Sequence, residues 1–196
     1  MQNPLEQLDL QQLRQRTSVK WRAYPPDVLP LWVAEMDVMP ADPIVRALRD
    51  ALETGDTGYA HGPEYPRAAQ EFASRQWGWN GFPAESAKSV PDVMMGIVEV
   101  LRLVTEPGDP VVVNCPVYPP FYAFVTSAGR EVVESPLTTG GRIDLERLGD
   151  TFRTLSRTHS RIAYLMASPH NPTGAVHARD ELQAVRQAGD DYDMAE

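Results

Sequence analysis

The sequence has 196 residues, 42% of them hydrophobic, and a formal net charge of −9. That hydrophobic content can supply a core and argues against a disordered chain, while the acidic charge argues against a nucleic-acid or anionic-membrane surface, since both select basic patches. The single cysteine, Cys115, excludes an internal disulfide framework, and no stretch approaches the roughly 20 apolar residues of a membrane span.

In the N-terminal third of the chain, the sequence predicts short helices separated by irregular segments. A first helix is expected where Leu5, Leu8 and Leu13 could share one side, and no signal peptide is visible there. Asp42 and Pro43 are typical of a helix start, with Asp as the cap and Pro at the first helical position. That helix carries an apolar face and ends near Gly55; the face comprises Ile44, Ala47, Leu48, Ala51 and Leu52.

The middle of the chain predicts the first strands. A helix over residues 64–76 precedes a short strand end at 89–91. Asp92 then caps a helix, and the strand at 111–114 follows a Gly/Pro turn. The predicted buried stripe of that helix is Ile97, Val100, Leu101 and Val104.

The last third continues the alternation. We predict a turn and helix over residues 116–128, a strand at 131–134, a helix marked by four apolar positions, and a strand at 161–167. Those four positions are Leu145, Leu148, Phe152 and Leu155. Strands alternating with helices through short Gly/Pro turns indicate an α/β fold with a mostly parallel sheet.

Several enzyme classes lose support because their motifs are missing. The four histidines form no HExxH pattern, one cysteine rules out CxxC, and neither a P-loop nor GxGxxG occurs. The sequence therefore favours neither a metal site of these types, nor an NAD-type dehydrogenase, nor a P-loop NTPase.

What remains is an ordered series of turns and short segments. They are LWVAEMD at 31–37, TGY at 57–59, PDVMMG at 91–96, EPGD at 106–109, PVYPPF at 116–121 and SPHNPTG at 168–174. The last one follows a predicted strand, and open α/β sheets bind ligands beyond the carboxyl ends of their strands.

In this order the segments resemble the class I/II aminotransferase superfamily of fold-type I pyridoxal-phosphate (PLP) enzymes, and most closely its MalY/PatB branch of cystathionine β-lyases. The resemblance covers about residues 19–189. It implies an incomplete aminotransferase-like large domain with a mostly parallel sheet, preceded by an N-terminal arm. The expected division is an arm at 1–42, a partial PLP-binding domain at 43–189 and an acidic tail at 190–196.

The resemblance assigns roles to three polar or aromatic side chains. Asn171 would donate its amide to the cofactor's 3-oxygen, Tyr118 would stack on the pyridine ring, and Tyr59 would reach the cofactor phosphate of the other subunit. From the residues alone, Asn171 could instead belong to a plain turn, Tyr118 to the core and Tyr59 to an ordinary loop.

Backbone groups complete the implied site. Val93 and Met94 open a helix, where free N–H groups favour a phosphate, although the family often has Gly at the position of Asp92 and a plain cap is the alternative. Ala34 lies where the family brings backbone close to the substrate carboxylate. Glu35 departs from the Asp common in this branch.

Other family groups have no counterpart here. The resemblance implies an Asp for the pyridine nitrogen, a Schiff-base Lys and a carboxylate-binding Arg, all beyond residue 196. The two lysines, Lys20 and Lys88, match no family motif and are expected to be surface charges. We therefore expect the N-terminal half of a PLP enzyme, with no catalytic residue in the chain, no covalent PLP and no activity alone.

The implied function is a PLP-dependent carbon–sulfur β-lyase that gives pyruvate, ammonia and a thiol. The expected partners are an amino-acid substrate and a second subunit in a homodimer, with no nucleic acid or membrane, and the expected location is cytoplasmic. The alternatives are a PLP-dependent aminotransferase and, from another class, a non-catalytic fragment with an interaction or regulatory role.

Overall fold

The computed structural model describes residues 3–191. The chain divides into two compact units, Met1–Ala68 and Ala69–Glu196. This division concerns backbone contacts, so the functional boundaries expected at residues 42 and 189 stay a prediction. The predicted acidic tail lies mostly outside the described residues.

The first unit consists of short helices joined by irregular chain. A 3₁₀ turn at Pro4–Glu6 is followed by helices α1 (Leu10–Leu13), α2 (Val19–Arg22) and α3 (Asp42–Glu53). The single N-terminal helix expected around the leucines is therefore wrong: a 3₁₀ turn and a short helix take its place. Asp9 explains the break, because its carboxylate accepts a hydrogen bond from the Gln12 amide at 2.8 Å and starts α1 afresh.

Helix α3 begins one residue earlier than predicted. Ala41 occupies the cap position without a side-chain bond, and Asp42 is the first helical residue, so the expected Asp cap is wrong. Pro43 in the first turn fixes the start instead, since its ring presets a helical φ and its missing N–H costs no hydrogen bond. The helix ends as predicted, with Gly55 at a φ of +71°.

Among the described residues of the first unit, only Lys20 and Pro30 are buried. The apolar face of α3 is exposed, with Leu48 at 63% and Leu52 at 70%. The helix is amphipathic, as its sequence predicts, but burial of that face is not part of the described fold.

The second unit carries the strands. Helix α4 (Glu64–Trp77) crosses the boundary between the units, and a 3₁₀ turn follows at Ala84–Ser86. The remaining elements, in chain order, are α5 (Val93–Val104), β1 (Pro110–Cys115), α6 (Pro120–Ser127), β2 (Glu131–Pro136), α7 (Leu145–Leu155), β3 (Ala163–Leu165) and α8 (Arg179–Asp190). The predicted α/β alternation is confirmed.

The three strands form one parallel sheet in the order β2-β1-β3. Val112 of the central strand lies opposite Val133 on one side and Tyr164 on the other. Residues Val111, Val112 and Val113 are all 0% exposed, because a central parallel strand is covered on both faces. The apolar run in the sequence therefore reflects its central position.

Successive residues of β1 face opposite layers of helices. Val112 packs in a cluster with Leu148 and Phe152 of α7, and residues of α8 border that cluster. Val111 and Val113 pack on the other face, against α5 and α6. This alternation gives three layers, with the sheet in the middle.

Two predicted strands differ from the structure. Residues 89–91 form no strand, since none of the described strands lies beside them to supply hydrogen bonds. Strand β3 is limited to Ala163–Leu165, where its neighbour β1 offers partners.

The buried side of α5 is rotated from the predicted stripe. Met94, Val98 and Leu101 are buried, whereas Val100 is 54% exposed. Val100 lines a groove of about 410 Å³ between α5 and the open edge of β3. No other strand in residues 3–191 covers this edge, so the outer side of the helix stays exposed.

Helix α8 was not predicted from the sequence. Its N-terminus is fixed by Glu181, whose carboxylate accepts a hydrogen bond from the Ala178 amide at 2.7 Å. None of the described helices is long and apolar enough to cross a membrane.

Candidate functional site

Two predicted site residues follow neighbouring strands. Tyr118 comes after β1 and Asn171 after β3, and these strands are parallel and directly hydrogen-bonded. Parallel neighbours end at the same edge of a sheet, which is where ligands of open α/β folds bind. The topology therefore places both residues at the carboxyl edge of the second unit.

The start of α5 reaches the same edge. Met94, in its first turn, packs against Val113 near the end of β1 and against Val117, the residue before Tyr118. Ala167, just beyond β3, borders the same cluster. The helix start therefore packs beside the residues that directly precede Tyr118 and the asparagine turn.

The first turn of α5 leaves two backbone donors free. Asp92 caps the helix as predicted, accepting from the Met95 amide at 2.9 Å through Oδ1. The N–H groups of Val93 and Met94 have no hydrogen-bond partner among the described residues. These two amides can bind an anion, but the Asp92 carboxylate beside them opposes negative charge.

Tyr118 presents a partly open aromatic ring. It is 39% exposed and meets Phe121 edge-on, with ring centroids 6.1 Å apart and planes at 78°. The edge-on contact orients the ring while leaving part of its surface available for stacking.

Asn171 lies at the tip of a braced turn. The His170 amide donates to the Ala175 carbonyl at 2.8 Å, and the Gly174 amide donates to the His170 carbonyl at 2.7 Å. The Asn171 side chain is exposed and makes no hydrogen bond to any described residue. Its amide is therefore available to a ligand. The peptide bond to Pro172 is cis.

Two other predicted residues lie in the first unit. Tyr59 is fully exposed in its loop. Ala34 is the exposed middle residue of a tight turn closed by a 2.8 Å bond from the Glu35 amide to the Val33 carbonyl. The Ala34 N–H has no partner within residues 3–191. It could receive a carboxylate, and the roles of both residues stay predictions.

Lys20 is not the surface charge that was expected. It is 5% exposed, and its ammonium donates to the Glu35 carbonyl and to Asp37 Oδ2, both at 2.7 Å. Burial alone would raise the pKa of Asp37, but the bonds from Lys20 and Trp21 and the Lys20 charge lower it on balance. The sequence does not reveal this ion pair, because Asp37 lies 17 residues away from Lys20. Lys88 is exposed, as predicted.

Cys115 is only half-buried at the end of β1. Burial, together with the nearby Glu134 carboxylate, raises the pKa of its thiol. The sulfur is therefore a weak nucleophile at neutral pH.

Two buried histidines beside the asparagine turn escaped the sequence analysis. His170 is 2% exposed and His177 5%, with ring centroids 6.5 Å apart. The Thr173 hydroxyl donates its one proton to the Gly141 carbonyl, so His170 Nδ1 must donate to Thr173 across 3.1 Å. His170 Nε2 and both His177 nitrogens lack a partner among the described residues. Only the presence of His170 in a motif could have drawn attention to the pair.

The buried His177 predicts an acid-sensitive fold. Burial lowers its pKa; Glu181 opposes this, whereas Arg142 and His170 add to it. The unfolded state, with a pKa near 6.5, therefore binds a proton more readily, so the free energy of unfolding falls as pH drops below about 6.5, by at most ~1.4 kcal/mol per pH unit. Urea unfolding of His177→Phe between pH 5 and 8 should lose this slope; the same change at His159 is the control. An unchanged slope would contradict the assignment.

Comparison with known proteins identifies relatives along most of the chain. The family described as aminotransferase class I and II matches residues 27–194. A Mycobacterium tuberculosis protein named "Putative cystathionine beta-lyase" is 56% identical over 94% of this chain and 46% of its own length. Cystathionine beta-lyase PatB of Bacillus subtilis is 34% identical over 80% of this chain and 40% of its own length.

A solved structure shows the same fold. The β-cystathionase of Corynebacterium diphtheriae, described as putative and PLP-dependent, superimposes with a TM-score of 0.84 at 29% identity, over 95% of this chain and 48% of that one. The chain spans about half the length of the curated relatives it matches. The aminotransferase-like α/β architecture expected from the sequence is confirmed.

Proposed function

Because the chain belongs to the class I and II aminotransferase family, we propose that it contributes part of a PLP site in a carbon–sulfur β-lyase. The observation that carries this proposal is the packing of the α5 start beside Val117 and Ala167, which precede Tyr118 and the asparagine turn at the ends of two paired strands. The 56% identity to a protein named for cystathionine β-lyase favours a lyase over other chemistry of the family.

The described residues fit PLP in three respects and oppose it in one. An unpartnered amide, a partly open aromatic ring and two free backbone N–H groups match an oxyanion, a flat heterocycle and a phosphate. The opposing feature is Asp92, whose charge lies at the proposed phosphate position. When bound, PLP supplies a ring that accepts electrons from the substrate Cα.

The residues of this chain would then bind and orient the cofactor and the substrate. Asn171 donates to the 3-oxygen and stabilises its negative charge, Tyr118 covers one face of the ring and excludes water, and the amides of Val93 and Met94 hold the phosphate. In the first unit, the Ala34 N–H receives the substrate carboxylate. Tyr59 serves the phosphate of a second subunit, so the proposal includes a homodimer.

Neither lysine of the chain suits covalent attachment. Lys20 is buried, and its side-chain nitrogen is already engaged by Asp37 and the Glu35 carbonyl. Lys88 is exposed in a segment without secondary structure. We therefore propose that this chain alone is without β-lyase activity.

The direct test combines labelling with a product assay. PLP is added to the purified chain, absorbance is recorded, and the sample is reduced with borohydride and digested for mass spectrometry. We expect binding that quenches tryptophan fluorescence, no lysine-linked absorbance band, no label on Lys20 or Lys88 and no pyruvate from cystathionine. A labelled lysine or pyruvate release would contradict inactivity, and the absence of any PLP binding would contradict the site.

An aminotransferase is the second candidate, since the matching family carries that name. Transfer of the amino group from an amino-acid donor to a keto-acid acceptor, without release of a thiol or ammonia, would favour it in any complex that restores activity. If the chain binds no PLP, a non-catalytic interaction role becomes the better description.

The charge at Asp92 gives a matched prediction. Asp92→Asn keeps an oxygen to cap Met95 but removes the negative charge, so the affinity for PLP should rise about three- to fivefold, since charge effects at a helix start are of order 1 kcal/mol. Asp144→Asn is the control, because Asp144 caps α7 in the same way, accepting from the Arg147 amide at 3.0 Å. Equal changes from both substitutions would place the phosphate elsewhere.

A further inference from the structure

The base of the asparagine turn is hydrogen-bonded to the loop between β2 and α7, which contains none of the family motifs. Gly141 and Arg142 lie between β2 and α7, far from the turn in sequence. The Thr173 hydroxyl donates to the Gly141 carbonyl at 3.2 Å. Gly141 has a φ of +72°, and a Cβ there would lie 3.1 Å from Thr173 Cβ, so the two segments touch closely.

Arg142 makes a second set of bonds from this loop, to the residues that follow the turn. Its Nε donates to Glu181 Oε1 at 2.7 Å, and its terminal nitrogen donates both to Glu181 Oε2 and to the Val176 carbonyl, the latter at 3.2 Å. Glu181 in turn accepts from the Ala178 amide. The ion pair therefore holds the backbone on both sides of the buried His177.

We propose that Arg142 is the positioning residue for Asn171. Together with Thr173, it fixes the base of the turn, so that only the tip at Asn171 and Pro172 projects without a tie. A ligand-binding group held this way loses little conformational freedom on binding. The inference rests on the proposed PLP site, because it names what keeps one donor of that site in place.

The planar fork of an arginine suits this task. Two of its nitrogens serve one carboxylate while a bond remains for the Val176 carbonyl, an arrangement that the single ammonium of a lysine cannot reproduce. The pairing with Arg142 also lowers the pKa of Glu181 to about 2. Glu181 thus stays ionised, and the tie stays closed, through the physiological pH range.

Hydrogen exchange and PLP titration of the same variants test the proposal. In Arg142→Met, the amides of His170 and Gly174, which Arg142 does not touch, should exchange about tenfold faster, and the dissociation constant for PLP should rise about tenfold. Arg142→Lys should resemble Arg142→Met. The control is Arg147→Met, since Arg147 lies on nearby α7 and pairs only loosely with Asp144 at 3.8 Å.

A charge-swapped variant separates positioning from plain stabilisation. Arg142→Glu with Glu181→Arg restores an ion pair, but it loses the bonds to Val176 and Ala178. We expect its melting temperature to recover toward wild type, while turn exchange and PLP affinity stay altered. Full recovery of exchange and affinity would overturn the proposal, as would wild-type behaviour of Arg142→Met.

The exchange readout keeps this inference distinct from the proposed function. If the wild-type chain binds no PLP, the proposed PLP site is wrong. The hydrogen-exchange rates of the turn amides then test by themselves whether Arg142 holds the turn in place. Unchanged exchange in Arg142→Met would then overturn the tie as well, whereas faster exchange confined to the turn would support it.

Discussion

Replacing Phe152 by alanine is expected to lower the free energy of unfolding by about 3–5 kcal/mol, the range measured for buried Phe→Ala changes. Phe152 is 0% exposed and packs with Val112 and Leu148 between the sheet and α7. Its ring also meets Tyr164 of β3 edge-on at 5.8 Å. The substitution therefore removes apolar burial and an aromatic contact together.

Urea unfolding followed by circular dichroism measures this change. Leu145→Ala is the control, because Leu145 lies on the same helix but is 38% exposed, so it should cost well under half as much. Similar losses for the two variants would mean that α7 does not pack as described.

Replacing Asn171 by alanine is expected to weaken PLP binding about 10- to 100-fold. A hydrogen bond to a charged acceptor contributes roughly 1.5–3 kcal/mol, which corresponds to this loss of affinity. The fold should be unaffected, since the Asn171 side chain bonds to no described residue.

Titration by tryptophan fluorescence, alongside melting temperatures, checks this result. Asn171→Asp should bind still more weakly than Asn171→Ala, because it places a carboxylate against an anionic oxygen. Asn80→Ala is the control: Asn80 is also exposed, and its side-chain amide makes only a long bond of 3.5 Å to the Gly78 carbonyl among the described residues. Equal affinity in wild type and Asn171→Ala would remove Asn171 from the site.

Sequence was sufficient where local chemistry decides the structure. Asp92 caps α5 as its side chain predicts, and Val111–Val113 form the central strand because an unbroken apolar run fits burial on both faces. The turn at residues 168–174 indicated a ligand site for a similar reason, since its position after a strand follows from alternation alone.

Sequence was insufficient where distant partners decide. Residues 89–91 have strand-like composition but no described neighbour to pair with, and Val100 lies over an open edge rather than the sheet. Lys20 was misjudged because its burial depends on Asp37, which is not adjacent in sequence. Arg142 belongs to none of the family motifs, and only its contact with Glu181 in the folded structure indicates the positioning role.

The strand order also has a consequence for when the site forms. Val111 pairs with Val132 across one short helix, but with Ala163 across a much longer stretch of chain. Because closing a longer loop costs more entropy, β1 and β2 should associate first and β3 should add last during folding. Asn171 follows β3, so the ligand-facing turn should acquire its shape in the final step, after the rest of the sheet has formed.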